Sequence, residues 1–536
     1  MKNKAKWLLL FIPLLFVVLT MVIALVNIFQ RSIYDDNGFT LKYLKAVVAQ
    51  PLYTKVLFNT LKTGVIVTVC TVLIAYPMAY LSVRSKKSWI RTFVTGGVLV
   101  PYWVSMLVRI SAWQIILAKN GLLNTLLMKL GIIDEPLVLL YNSIAVVISL
   151  THILLPQMFL SMQSVMAEID GNLTLAAEGM GAKPVTNFRT VFLPLSVPGI
   201  VSGCMMVFVL ALGFYIAPAL LGGSQDMMVS NLIQQNMDNM NWHIAAALSV
   251  ELFVIVMAFV AVAYKFVGDS CLQEKRKEGR NMLTVIVFLL VFIIVLPAII
   301  VIPQAFTSLN YFTYPIPEFV TKWIDKFWEN SEWVVGLTRS LVIAVIVAVV
   351  ATVLGTLAAV AMQKLEFKGK GLFMGLMISP MVIPVVIIGV ALYSTFSKVG
   401  LTNTFTGLIL THTLLALPMV FVTMSSGLGG VNPNLELAAM SMGCSPAKAF
   451  IQVVLPVVKP SLISSVLFSF VTSLDEVAAS LFISGADTKT LPLVMWERLN
   501  TYMDPTIAVA AMYLIILTLG TYIVKEIIAY RSRRIG

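Results

Sequence analysis

The stretch LAAEGMGAKPVTNFRTVFLP at residues 175–194 recurs almost unchanged as LAAMSMGCSPAKAFIQVVLP at residues 437–456. An ungapped alignment of 175–198 on 437–460 gives 11 identities in 24 positions, the shared letters being LAA, MG, P, F, V, LP and P. Both copies are polar interruptions in a chain that is 59% hydrophobic and 12% charged. Self-similarity of this kind indicates repeated structural units. The sequence therefore predicts two related halves.

Each copy of the stretch predicts a helix, a turn and a second helix. Gly181 and Gly443 follow six residues after the start of LAA, and glycine adopts the left-handed backbone angles that end a helix. Pro184 and Pro446 come three residues later, and proline is favoured at the first position of a helix. Ser445 stands where a helix N-cap belongs. One apolar face is expected on the second short helix, formed by Val185, Phe188, Val191 and Phe192 and, in the other copy, by Ala447, Phe450, Val453 and Val454.

The composition predicts a membrane protein that crosses the bilayer many times. About twelve apolar runs are long enough to cross a hydrocarbon core, which takes roughly 20 residues. They lie near 7–29, 57–82, 92–114, 142–165, 195–220, 243–266, 282–304, 333–361, 372–397, 406–427, 458–483 and 505–528. Basic segments such as VRSKKSWIR at 83–91 then predict that both termini and both repeated stretches are cytoplasmic. We attribute the net charge of +12 to these basic cytoplasmic segments, and we expect no nucleic-acid partner.

The halves are predicted to be parallel repeats, because both repeated stretches follow the fourth helix of their half on the same side of the membrane. The first half is placed at 1–266, with its loop at about 168–194. A charged cytoplasmic linker at 267–281 joins it to the second half at 282–536, whose loop lies at about 430–456.

The two stretches resemble the cytoplasmic E-A-A-x-x-x-G loop, closed by I-x-L-P, of the membrane subunits of bacterial ATP-binding-cassette (ABC) importers. The resemblance implies an all-α polytopic fold of about 12 transmembrane helices in two six-helix repeats, the type I importer fold. It also implies that each loop docks on an ATPase subunit. Leu175 and Leu437 stand where the family often has Glu, so docking should rest on shape and apolar contact. The residues expected to couple to the ATPase are Ala176, Ala177, Gly181, Pro184, Phe188, Ala438, Ala439, Gly443, Pro446 and Phe450.

Two further segments, at 100–124 and 473–499, look like the two permease subunits of spermidine/putrescine importers. The resemblance implies a fused permease in the bacterial inner membrane. Its expected partners are two copies of a cytoplasmic ATP-binding subunit, an extracytoplasmic solute-binding protein, a small-molecule substrate and membrane lipid. ATP and Mg²⁺ would bind to the partner ATPase, and no cofactor, metal or catalytic residue is expected in this chain. GFYIAPALLGG at 213–223 is closer to broader relatives that carry opines or other small organic solutes.

Ionisable groups inside a membrane domain are costly, and this makes them candidates for the substrate pathway. Spaced carboxylates and aromatic faces suit a polyamine, whose ammonium groups are separated by methylenes. The candidates are Asp475, Glu476, Trp496, Glu497, Glu251 and Tyr215. Structural pairing of the acids with Arg109 or Arg339 is the alternative. For His152 and His412, a hydrogen bond between helices is expected.

Other transport mechanisms and substrates remain open at this point. The sequence contains no G-x-x-x-x-G-K-[ST] phosphate loop, so the chain itself is not expected to bind ATP in that way. An ion-gradient-driven secondary transporter is an alternative, but it leaves the repeated loop unexplained. A scaffold or sensor would need a soluble domain, and no segment is long enough. Opines, other amino-acid-like cations, aminophosphonates and ferric ion are alternatives to a polyamine.

Overall fold

The chain folds almost entirely into helices. The computed structural model describes residues 3–85, 87–181, 183–267, 274–275 and 281–535. The helices up to the predicted linker are α1 Asn3–Val17, α2 Ile23–Ile33, α3 Lys42–Ala49, α4 Pro51–Arg84, α5 Ser88–Tyr102, α6 Met106–Leu117, α7 Leu122–Lys129, α8 Ser143–Glu168, α9 Gly171–Gly179, α10 Pro184–Asn187, α11 Leu193–Leu212, α12 Ile216–Leu221, α13 Val229–Asp238 and α14 Trp242–Val267.

The helices after the linker follow a similar order, without a counterpart of α7. They are α15 Asn281–Gln304, α16 Lys322–Glu329, α17 Ser331–Lys364, α18 Lys370–Val382, α19 Val385–Val399, α20 Phe405–Gly429, α21 Pro433–Ser441, α22 Pro446–Ala449, α23 Leu455–Val457, α24 Lys459–Asp475, α25 Ser480–Ile483, α26 Leu491–Thr501 and α27 Thr506–Ile535. Short π-helical segments occupy Val18–Val22, Phe188–Phe192 and Phe450–Val454, and a 3-10 turn occupies Ala486–Thr488.

Four two-residue strands complete the described secondary structure. Strands β1 (Tyr34–Asp35) and β2 (Gly38–Phe39) form an antiparallel pair in which Tyr34 faces Phe39. Strands β3 (Ile169–Asp170) and β4 (Glu274–Lys275) are parallel, with Ile169 opposite Glu274. The second pair therefore attaches part of the linker next to the first repeated stretch.

The repeat predicted from the sequence is confirmed in the order and length of the helices. The long helices α4 and α17 each have 34 residues, and α9 and α21 each have 9. Each of these short helices leads to a four-residue helix and then a five-residue π-helical segment. Two copies of one chain pattern thus produce two copies of one fold pattern.

The helices group into two compact units. Unit A comprises Met1–Thr40, Phe327–Arg498 and Ile515–Gly536, and unit B comprises Leu41–Lys326 and Leu499–Leu514. The units therefore differ from the sequence halves in their first helices, because α1 and α2 lie in unit A and α15 lies in unit B. The division of the sequence at 267–281 remains a prediction, and 268–273 and 276–280 fall outside the described residues.

In unit A, α17 packs against α20 and α24, and α1 and α2 pack against α17 and α19. A Cβ on Gly355 would lie 2.4 Å from the Val420 side chain, so this glycine is needed for the close approach of α17 to α20. Small residues at such crossings let membrane helices gain packing contacts. The side chain of Asn27 donates to Thr395 Oγ1 at 3.0 Å, which holds α2 on α19.

In unit B, α4, α8 and α11 pack against one another. The close approach again depends on a glycine, because a Cβ on Gly203 would lie 2.6 Å from the sulfur of Met158. Helix α15 packs against α5 and α6, and the rings of Phe93 and Phe288 stack at 4.4 Å.

Among the described residues, 8 helices are long and apolar enough to cross a membrane, and 11 if each of three bent pairs counts as one span. With the shorter apolar stretch Thr506–Thr521, these match the twelve predicted runs. The expectation of continuous spans is wrong at 92–114 and 372–397, where the chain bends by 97° and 103°. Pro101 is the penultimate residue of α5, and Pro384 directly precedes α19. Proline disrupts a helix by removing a backbone donor and crowding the preceding turn.

The predicted spans 195–220 and 458–483 are also interrupted. In unit B, α11 ends at Leu212 and α12 begins at Ile216. In unit A, α24 ends at Asp475 and α25 begins at Ser480. The interruptions occupy corresponding places after the repeated stretches, and the second of them carries two of the candidate acids.

Candidate functional site

The two repeated stretches fold as predicted, with a helix, a glycine turn and a second helix. We call residues 171–192 and 433–454 the first and second coupling segments. Gly181 and Gly443 have φ angles of +85° and +93°, in the region that favours glycine. Pro446 starts α22, and the Ser445 side chain caps it by accepting from the backbone N–H of Lys448 at 3.4 Å. Pro184 likewise starts α10.

The alanine pairs point in two directions. Ala177 and Ala439 are 5% and 3% exposed, whereas Ala176 and Ala438 are exposed. Ala177 and Ala439 therefore pack inside the protein. Ala176 and Ala438 leave a helix surface of small side chains that another protein can approach closely.

Among the side chains of the coupling segments that the structure describes, two methionines are the most exposed apolar ones. Met180 is 83% exposed and Met442 is 81% exposed, each directly before the turn glycine. Methionine is flexible and polarisable, which suits contact surfaces that adapt to a partner. The recurrence of Met-Gly in both copies was the signal in the sequence that could have identified them.

Two residues of the predicted apolar face of the first coupling segment, Phe188 and Phe192, pack inward. Phe192 is buried, and its ring centroid lies 4.9 Å from that of Tyr80 in α4. The ring of Phe188 lies 5.8 Å from Tyr80 and 6.1 Å from Tyr76. The guanidinium of Arg84, the last residue of α4, lies 4.7 Å from the Phe192 centroid. These contacts tie the segment to the end of α4.

The second coupling segment is tied to α17 in a related way. Lys364, the last residue of α17, donates to Glu436 Oε2 at 2.6 Å. Its ammonium also lies 5.0 Å from the Phe450 ring centroid. Arg84 and Lys364 are thus the basic ends of the two 34-residue helices. Neither basic residue, nor Glu436, was identified from the sequence, because a loop motif does not show which helix end it meets.

Asp475 and Glu476 lie at the break between α24 and α25 in unit A. Asp475 is the last residue of α24, and a negative charge is disfavoured at a helix C-terminus by the helix dipole. Glu476 is extended, with φ −74° and ψ 118°. Its carboxylate accepts from the backbone N–H of Ala479 at 2.7 Å. The two neighbouring carboxylates therefore have different surroundings.

His412 forms the predicted helix–helix hydrogen bonds, and it does so at this break. The ring lies in α20 and is fully buried. Its Nδ1 is 2.8 Å from Ser473 Oγ and its Nε2 is 2.8 Å from Ser480 Oγ. His152 in unit B also bonds to another helix, with its Nε2 2.8 Å from the carbonyl oxygen of Ile294 in α15.

Glu497 belongs to a group of four charged side chains in unit A. Lys489 donates to its Oε2 at 2.6 Å, and Arg498 donates to Glu332 Oε2 at 2.6 Å. Lys489 also lies 3.8 Å from Glu332, which links the two pairs. The neighbouring Trp496 is buried. Two of the charges are positive and two negative, so the group is neutral as a whole.

The remaining pathway candidates, Tyr215 and Glu251, lie in unit B. Tyr215 immediately precedes α12, and its backbone carbonyl accepts from the Asn231 side chain at 3.1 Å. Glu251 is in α14 and is partly exposed. Within the described part of the chain, no group of three or more His, Cys, Asp or Glu side chains is arranged to hold a metal ion.

Comparison with known proteins places two copies of one family pattern in this chain. The family described as binding-protein-dependent transport system inner membrane component matches residues 71–271 and 351–534. The chain is 35% identical over 216 residues to the spermidine/putrescine transport system permease protein PotB of Haemophilus influenzae, covering 40% of this chain and 75% of that protein. It is 29% identical over 253 residues to PotC of the same organism, covering 47% of this chain and 97% of that protein. A solved bacterial ABC transporter involved in the import of the acidic polysaccharide alginate gives a TM-score of 0.44 at 16% identity, covering 49% of this chain and 96% of that one.

Proposed function

The chain belongs to the family of binding-protein-dependent transport system inner membrane components, and from that premise we propose that it forms the membrane pathway for polyamines such as spermidine and putrescine. It is an ABC importer permease with both permease repeats in one multi-pass chain. The family is one of transport permeases rather than enzymes.

The pair of carboxylates at the break of α24 supports a polyamine. Asp475 places a carboxyl group at the end of a helix of 17 residues, where the helix dipole disfavours a negative charge. An ammonium group relieves that repulsion, and an acid placed within a membrane domain is a functional candidate for this reason. The resemblance to spermidine/putrescine permeases agrees with the same class of substrate.

Energy for transport would come from two copies of a cytoplasmic ATPase, which would bind ATP and Mg²⁺. We assign one copy to each coupling segment, with Met180 and Met442 as the apolar tips that dock. ATP binding can drive a conformational switch only if the ATPase has different affinities for its two states. The coupling segments provide that link, and the permease alternates between inward-open and outward-open states.

The orientation follows from the distribution of basic residues. Cytoplasmic termini and coupling segments place the loops between α2 and α4 and between α15 and α17 outside, where a solute-binding protein would deliver the substrate. This assignment is independent of the substrate. Fusion tags at the two termini that fluoresce only in the cytoplasm would test it, and a dark tag at either end would overturn it.

Substrate competition tests the polyamine assignment. The chain would be expressed with the ATPase and solute-binding protein that copurify with it, in cells lacking their own polyamine uptake. Uptake of labelled spermidine should be reduced by unlabelled putrescine and unaffected by opines, aminophosphonates or ferric ion. Absence of spermidine uptake together with uptake of one of the other solutes would overturn the polyamine assignment and leave the importer class intact.

A further inference from the structure

A chain of hydrogen bonds runs through the helix break that carries the two acids. His412 contacts Ser473 through Nδ1 and Ser480 through Nε2, both at 2.8 Å. Ser480 in turn donates its hydroxyl proton to the backbone carbonyl of Glu476 at 3.3 Å. Ser473 lies in the last turn of α24, and Ser480 is the first residue of α25. The histidine thus bridges the two sides of the break.

One tautomer of His412 satisfies all of these bonds. A carbonyl oxygen can only accept, so when the Ser480 hydroxyl donates to Glu476, Ser480 Oγ accepts from Nε2–H of the imidazole. Nδ1 of the same neutral ring then accepts from the Ser473 hydroxyl. All three side chains are buried, and an unmade hydrogen bond in such surroundings is costly. In this arrangement both ring nitrogens of His412 have a hydrogen-bond partner.

A second contact holds the break from the side of α19. A Cβ on Gly389 would lie 2.5 Å from the ring of Phe482 in α25. The short helix α25 is therefore packed directly against the backbone of α19, while His412 holds it from α20. The Glu476 carboxylate adds a third constraint by capping the N–H of Ala479 at 2.7 Å.

The corresponding break in unit B is held differently. There the Phe214 carbonyl accepts from Ser230 at 2.6 Å, and the Tyr215 carbonyl accepts from Asn231 at 3.1 Å. Both donors belong to α13. His152 bonds through Nε2 to the Ile294 carbonyl in α15 rather than to a residue of that break. The histidine bridge is thus found at the break whose residues are Asp475 and Glu476.

We propose that His412 is a positioning residue that fixes where Asp475 and Glu476 present their carboxylates, and so sets the affinity of the pathway for its cationic substrate. The inference rests on the proposed function, because it takes the two acids as substrate contacts. Without the bridge, α24 and α25 keep their packing but lose the two side-chain hydrogen bonds that join Ser473 and Ser480 on either side of the acids. Affinity should then fall more than turnover.

The test compares His412→Leu with His412→Gln and with His152→Leu as the matched control. His412→Leu removes both side-chain bonds and should raise the KM for uptake about tenfold while the maximal rate changes less than twofold. His412→Gln keeps a donor and an acceptor and should recover most of the affinity. His152→Leu removes a buried histidine bond in the other unit and should leave KM unchanged. Membrane content of each variant is measured by immunoblot.

The outcomes separate this inference from the proposed function. If the wild type does not import polyamines, the proposed function fails, and the KM series is run on the solute that it does import. An unchanged KM in His412→Leu at normal membrane content overturns the inference, as does an equal rise in His152→Leu. If His412→Leu does not reach the membrane, the KM is measured in the double variant Ser473→Ala/Ser480→Ala, because it removes the same bonds and keeps the imidazole ring. An unchanged KM in that pair also overturns the inference.

Discussion

The ammonium of Lys364 lies 2.6 Å from a carboxylate oxygen of Glu436, so the last residue of α17 is joined to the first turn of α21. Lys364 also lies over the ring of Phe450. The second coupling segment is thereby attached at two points to a helix of 34 residues that runs through the core of unit A. In the proposed importer, movement of the segment would be transmitted to α17 through this attachment.

Removing the Lys364 charge should weaken coupling with little effect on folding. The side chains of Lys364 and Glu436 are 30% and 20% exposed, and exposed pairs of this kind contribute about 1 kcal/mol or less. Lys364→Gln should therefore keep a normal melting temperature and reduce the number of substrate molecules imported per ATP. Lys370→Gln is the control, because it removes the neighbouring Lys370–Glu366 pair outside the coupling segment. Equal transport per ATP in both variants would contradict the prediction.

Valine at the turn glycines should uncouple ATP hydrolysis from import. A Cβ at Gly181 or Gly443 meets no atom within 4 Å, so the effect comes from the left-handed backbone, which costs a substituted residue roughly 1–2 kcal/mol. The turn would relax and move the docking surface. Gly369→Val is the control, since Gly369 has a φ of +100° and an equally open surrounding. ATPase activity and uptake are measured together. If only Gly369→Val uncoupled hydrolysis from import, while the Gly181 and Gly443 variants stayed coupled, the assignment of the two turns to coupling would be refuted.

Charged tips should block docking of the ATPase. Burial of an apolar side chain of this size stabilises an interface by about 1.5–3 kcal/mol, so Met180→Asp with Met442→Asp should weaken ATPase binding more than tenfold. Ile132→Asp makes the same kind of change at an exposed residue on the predicted outer side. Binding is measured by copurification and by titration in nanodiscs. Retention of the ATPase by the double variant would show that docking lies elsewhere.

Neutralising the two acids should abolish uptake while the ATPase stays bound. Asp475→Asn should have the larger effect, because Glu476→Gln retains an oxygen that can accept from the N–H of Ala479. We expect the KM to rise at least tenfold for Asp475→Asn and less for Glu476→Gln. Asp487→Asn, at an exposed residue of the same unit, is the control. Normal uptake by the Asp475→Asn/Glu476→Gln pair would remove both residues from the pathway.

The Glu497 network supports a weaker role in substrate binding. Its carboxylate already pairs with Lys489, and the four charges of the group balance one another. Glu497→Gln should therefore raise the KM less than Asp475→Asn does. Glu332→Gln removes the pair with Arg498 and should raise the KM by about as much as Glu497→Gln. The measurement is the KM for uptake in each variant. A tenfold rise in Glu497→Gln alone would instead place Glu497 in direct contact with the substrate.

The sequence by itself determined the membrane class, the number of apolar runs, the twofold repeat and the helix-turn-helix of the coupling segments. These features are local. Hydropathy over about 20 residues reports the cost of exposing a segment to lipid, and the demand for a left-handed angle at Gly181 and Gly443 is satisfied within a few residues. His412 could also be expected to bond to another helix, because a buried imidazole requires partners.

Only the tertiary structure decided where spans break, which unit holds each first helix and which way the coupling face turns. His412 in α20 bonds to Ser473 and Ser480 on the two sides of the break after Asp475. Phe188 and Phe192 face inward because Tyr76, Tyr80 and Arg84 meet them there. Such contacts join distant parts of the chain. The energy of these contacts depends on the distances and angles between side chains, which average hydropathy and short-range spacing do not specify.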